Sequence, residues 1–171
     1  MKQTLLTNQE QYEALQSQIA DNKKQKQEVV EDLTENAKLS SQYEKEIISY
    51  IIKIGDLCQK QFLRTKLYKE IKSQSANAYI PIKDQEKLFE ALTIYYAEYK
   101  NALNTYFTFT ERELLICCLI RSQLSIQECA NCLRASTHSY YTATYRIRNK
   151  IKNSSFKQNE AYCMILNTSE L

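Results

Sequence analysis

The side chains best suited to chemistry in this sequence are cations and aromatics gathered near its C-terminal end. Between Glu128 and Glu160 there is no acidic residue, whereas Arg134, Arg146, Arg148, Lys150, Lys152 and Lys157 supply six positive charges. The whole 171-residue chain carries only +3, so everything outside that window sums to −3, from +3 less +6. A basic segment of this kind neutralises phosphates and releases their counterions, which gives affinity for a polyanion without reading its sequence. The plain alternative is a solvated basic face on a small helical domain.

Thiol and metal chemistry is the second possibility, because Cys129 and Cys132 form a CxxC and His138 is the sole histidine beside six cysteines. No second well-spaced pair completes a zinc set. Cys117, Cys118, Cys129 and Cys132 instead fall inside helical apolar patterns, where a reduced Cys packs as a small hydrophobe. No metal or other cofactor is expected. With one histidine, no paired carboxylate motif and no glycine loop, the chain offers no recognisable catalytic site and is expected not to be an enzyme.

The elements that must position these residues are helices. One Gly and one Pro stand where average usage would give about twelve and nine. Many-stranded folds need such residues at each reversal, and phosphate-cradling motifs are written in glycine. An all-α chain is what remains. Its longest early apolar run, Ile47 to Ile54, is interrupted by Ser49 and Lys53 and is too short to span a membrane. Residues 1–20 carry no apolar signal core, so a cytoplasmic location is expected.

Residues 1–75 are expected to form a long coiled-coil helix. Counting by sevens from Leu5 gives Tyr12, Ile19, Lys26, Leu33, Ser40, Ile47 and Ile54, and the companion series runs Asn8, Leu15, Asn22, Val29, Asn36, Tyr43, Tyr50 and Leu57. This is an a/d seam whose polar members weaken it while fixing register, and such a seam needs a partner chain to bury it. A homodimer is therefore expected. From Glu46 to Ile71 the apolar stripe widens beyond a two-stranded seam, with Gly55 in its midst as a kink, a close approach or a tolerated glycine. Residues 76–107 comprise a linker marked by Pro81 and a second helix from about Asp84 to Phe107, folding back antiparallel on the first. Its stripe, Leu88, Leu92, Tyr96, Tyr99 and Leu103 among others, suits a core better than a ligand pocket.

Residues 108–171 form the third block. Thr110 precedes Glu111 and Glu113, Ser125 and Glu128 make a capping-box pair, and Ser136 caps a longer helix; helix, short helix, turn and helix is a helix-turn-helix layout. The stretches Phe-Thr-Glu-Arg-Glu-Leu-Leu at 109–115, Leu-Ser-Ile-Gln-Glu-Cys-Ala-Asn-Cys-Leu at 124–133, Ala-Ser at 135–136 and Arg-Ile-Arg-Asn-Lys-Ile at 146–151 resemble the LuxR-type DNA-binding domain. More narrowly, Cys-Leu-Ile-Arg at 118–121 and Tyr-Arg-Ile-Arg-Asn-Lys at 145–150 resemble the C-terminal helix-turn-helix of Bacteroidetes regulators, in which a membrane-anchored or repeat-containing sensor precedes a cytoplasmic coiled coil.

The resemblance implies a dimeric, double-stranded-DNA-binding transcription regulator with the helix at about 137–152 in the major groove, and it leaves open a membrane or sensor segment upstream of this chain. On that helix His138, Tyr141, Thr142 and Tyr145 are the candidates for base edges, while Arg134, Arg146, Arg148, Asn149, Lys150 and Lys152 are candidates for phosphates. The sequence departs from the family pattern at Gln123, which replaces a glycine, at Cys129 and Tyr140, which replace aliphatics, and at Thr144, where Arg is frequent. The weak seam residues and the departures at Gln123, Tyr140 and Thr144 fit an alternative reading, a coiled-coil scaffold or signalling adaptor whose helix-turn-helix binds protein rather than DNA.

Overall fold

The computed structural model describes residues 2–73, 79–154 and 165–166, and among these every regular element is helical. Lys157, Cys163 and residues 74–78 of the expected break lie outside the described residues, as do the side chains of Leu5 and Asn8. Seven helices follow one another among the described residues: α1 (Lys2–Phe62), α2 (Lys66–Ser73), α3 (Ile82–Tyr95), α4 (Ala97–Tyr106), α5 (Glu111–Arg121), α6 (Ile126–Cys132) and α7 (Thr137–Lys152). They belong to two compact units, Met1–Tyr43 and Glu44–Leu171, so α1 contributes to both. The sequence boundaries at 75 and 107 both fall within the second unit.

In the first unit the described side chains of α1 form no core of their own: Tyr12, Leu15, Ile19, Val29, Leu33 and Tyr43 of the a/d series are all exposed, and Val30 and Leu39 widen the same apolar surface. In the second unit α1 changes character. Ile48, Ile51, Cys58 and Phe62 are buried with Leu88 and Leu92 of α3, Tyr99 and Leu103 of α4, and the inner faces of α5, α6 and α7. The d-series residues Tyr50 and Leu57 nevertheless stay exposed.

Two interruptions distinguish these helices from the expected ones. α1 ends at Phe62 rather than near 75, because Thr65 breaks the ladder: its hydroxyl donates to the Phe62 carbonyl (2.8 Å) and accepts from the Tyr68 N–H (3.1 Å), which caps α2 from within the turn. The expected single helix from Asp84 to Phe107 is split at Tyr96, which sits at φ −106°, ψ 18° between α3 and α4. Tyr96 is fully buried there, its ring against Phe62 and Tyr99 and its hydroxyl 3.3 Å from Ser122 Oγ. Tyr96, Tyr99 and Phe107 of the aromatic stripe are therefore core, whereas Phe89 and Tyr106 are half-buried and Tyr95 is exposed, and an aromatic cluster joins α1 to the α3–α4 junction.

The lone glycine has a packing role. Arg121, at the end of α5, is completely buried and lies against Gly55; a Cβ there would approach its Nε to 2.5 Å. The guanidinium pairs with Asp56, donates to the Ile165 carbonyl at 2.7 Å and sits 5.3 Å from the centroid of the Tyr99 ring, whose hydroxyl bonds the same carbonyl at 2.9 Å. A buried charge needs such pairing to be tolerated. Arg121 thereby ties α1, α4 and α5 to the buried pair Ile165–Leu166.

Candidate nucleic-acid interface

The site is built on three consecutive caps. Thr110 Oγ1 accepts from the Glu113 N–H while the Glu113 carboxylate accepts from the Thr110 N–H, and Ser125 and Glu128 repeat the arrangement at the start of α6. Ser136 caps α7, its Oγ accepting from the Ser139 N–H at 3.1 Å. Each cap falls where the sequence puts it, because a side-chain oxygen three residues ahead of an unsatisfied N–H is a local, short-range device.

Both capping-box glutamates do a second job. Glu113 also accepts from Lys150 of α7 at 2.7 Å, and Glu128 from Lys72 of α2 at 2.9 Å. For both, burial acts to raise the carboxyl pKa, but the lysine and the cap N–H outweigh it and hold the group below its ordinary value. Lys150 further donates to the Thr108 carbonyl at 3.2 Å. One lysine thus fixes the C-terminal half of α7 to the start of α5.

Toward α5 and α6, α7 buries Tyr140, Ile147 and Ile151. Tyr140 is hydrogen-bonded to Cys129, so the large residue on one helix meets the small one on the other. Two of the departures from the resembled pattern therefore compensate each other in volume. The Cys129 thiol also contacts the Leu119 and Leu124 carbonyls at 3.7 and 3.8 Å. Burial pushes Cys129 up to about 11 and Cys132 up to about 12, which leaves both as inert thiols at neutral pH. Both are buried and His138 is exposed, and among the described residues no three His, Cys, Asp or Glu side chains gather as a metal set would.

The opposite face of α7 carries the sequence candidates. His138, Tyr141, Thr142 and Tyr145 are exposed, as are Arg146, Lys150 and Lys152, while Thr144, Arg148 and Asn149 are half-buried. Tyr141, Thr144, Tyr145 and Arg148 line an open groove of about 350 Å³. The cations are not equivalent. Arg146 has no partner among the described residues, whereas Lys150 is held by Glu113, and Arg134 donates to the Ile80 carbonyl at 2.8 Å with its guanidinium 5.9 Å from the centroid of the Tyr79 ring. Arg134 and Lys150 thus carry structural bonds as well as charge. Sequence reasoning missed both attachments, since they pair residues 37 and 54 positions apart.

The two turns flanking α6 each hold one residue in the left-handed region, Gln123 at φ 55° and Arg134 at φ 51°. Gln123 is the position where the resembled pattern has glycine, and its backbone conformation is the one glycine adopts most readily. No family model, curated protein or solved structure matches this chain.

Proposed function

We propose that this chain is a DNA-binding transcription regulator of LuxR-like helix-turn-helix type, with α7 entering the major groove and the exposed seam of α1 joining two copies. The observation that carries this reading is the coincidence of charge and exposure: the only long acid-free stretch of the C-terminal block contains α7, and α7 turns His138, Tyr141, Thr142 and Tyr145 outward, with exposed Arg146 and half-buried Arg148 beyond them. A helix with uncharged hydroxyl and aromatic side chains at its leading end and cations at its trailing end matches the division of labour in which leading residues read bases and later ones hold phosphates. The rigid seating of α7 on α5 and α6 by caps, by the Tyr140–Cys129 contact and by Lys150 suits a reading head that must hold its register. In a dimer the two α7 helices would engage half-sites about one DNA turn apart. The coiled-coil arrangement and the cytoplasmic placement belong to the same proposal.

Titration of the full chain with mixed-sequence duplex DNA at rising salt tests it. Affinity should fall steeply with salt, and Arg146→Ala should weaken binding to all sequences alike while lowering the slope of log K against log salt by about 1. Absence of binding at low salt by folded chain overturns the proposal in favour of the protein-binding adaptor.

A further inference from the structure

From Thr137 to Tyr145 the leading part of α7 contains no Arg, Lys, Asn, Gln, Asp or Glu. Those are the side chains that read guanine, adenine or cytosine through hydrogen bonds, bidentately in the best cases. Several of its hydroxyls are also engaged within the helix. Thr142 Oγ1 donates to the His138 carbonyl at 3.0 Å, Thr144 Oγ1 donates to the Tyr141 carbonyl at 2.9 Å, and the Ser136 and Ser139 hydroxyls bond each other at 2.9 Å. What this surface offers is therefore largely apolar: the ring of Tyr141, 46% exposed, the ring of Tyr145, 61% exposed, and the methyl group of Thr142. The groove that Tyr141 and Tyr145 line with Thr144 is bordered by Arg148, so an apolar slot and a cation share one face.

The major groove of DNA presents one apolar feature, the 5-methyl group of thymine. We propose that α7 reads its duplex chiefly through thymine methyl groups, with Tyr141, Thr142 and Tyr145 as the specificity-determining contacts; this rests on the DNA-binding reading above. His138 and the two phenol hydroxyls add single hydrogen bonds, which discriminate between bases far less than a bidentate pair. The target is accordingly a thymine-rich half-site held by the cations of the trailing turns.

The decisive experiment compares two pools of duplexes with a randomised core, one synthesised with thymine and the other with uracil, which lacks only the methyl group. Both are titrated against the full chain at low and at intermediate salt. The uracil pool should bind more weakly, by about fourfold for each methyl group that the protein would otherwise cover, since burying one methyl-sized group is worth about that factor. Sequences selected from the thymine pool should be rich in thymine at the centre of each half-site. In Tyr145→Ser and Tyr141→Ser, both exposed positions whose thermal unfolding should match the parent, the thymine-to-uracil ratio should move toward one. Equal binding of the two pools, or a ratio unchanged in both variants, overturns the inference while leaving DNA binding intact. Failure of both pools to bind at low salt overturns the DNA-binding reading itself.

Discussion

Arg121 shows how one buried charge sets the identity of a distant residue. Its guanidinium occupies the space a Cβ would take at Gly55, and it cannot swing aside, because Asp56 and the Ile165 carbonyl hold its far end and the Tyr99 ring covers it. Gly55→Ala would gain up to about 1 kcal/mol in helix propensity and lose about 1–3 kcal/mol to overpacking. The expected result is a net loss, seen as a lower urea midpoint; an unchanged or higher midpoint would show that the guanidinium can relocate. Gln123 offers the opposite case. It is exposed, has φ 55°, and makes neither of the bonds that hold Arg134 at φ 51°. Gln123→Gly should stabilise the chain by about 0.5–1 kcal/mol by relieving the left-handed conformation. Arg134→Gly relieves the same conformation but removes the bond to Ile80 and the stacking on Tyr79, so it should show no such gain in the same urea titration.

Among the elements, α5, α6 and α7 were legible in the sequence almost residue by residue, and the reason is physical: Thr110, Ser125 and Ser136 cap helices through bonds that span only three residues. Elements ended by tertiary demands were not. The stripe places Tyr96 in the core, where its ring packs beside Phe62, but no Gly or Pro within residues 84–107 announces the break between α3 and α4 at that residue. The base-edge candidates were legible as an outward face at helical spacing, but the attachment of Lys150 to Glu113 and of Lys72 to Glu128 depends on which helices become neighbours. Those attachments carry a pH signature. Both glutamates have folded-state pKa values below the ordinary 4.5, so their contribution to stability is fully present above about 4.5 and is lost as pH falls through the depressed values. Unfolding free energy should thus be insensitive to these groups near neutrality and decline as pH drops below about 4.5. The double variant Glu113→Gln, Glu128→Gln, less stable at pH 7, should show a shallower decline in urea titrations across that range. A parallel decline in both proteins would assign the acid sensitivity to other carboxylates.

For the whole molecule the governing fact is that every described apolar side chain of unit Met1–Tyr43 is exposed. Leu15, Ile19 and Leu33 are between 56% and 64% exposed, an arrangement that water does not favour along a helix. Burying each of these residues is worth about 1.5–3 kcal/mol, and a second copy of the same helix presents the same stripe. Asn22, Lys26, Asn36 and Ser40 interrupt that stripe, so association should be moderate, with the polar layers selecting register more than adding strength. Sedimentation equilibrium at micromolar concentration should therefore find a dimer. Placing charges in the middle of the seam with Val29→Glu and Leu33→Glu should give a monomer whose helical signal falls, while the thermal transition of unit Glu44–Leu171 persists, because neither residue contributes to its core. On the DNA-binding proposal the same variant should lose apparent DNA affinity by more than any single phosphate contact accounts for, since two tethered heads would bind with the advantage of effective concentration and one alone would not. A wild-type chain that sediments as a monomer, or a double variant that remains dimeric, would locate the oligomer contact elsewhere than on this stripe.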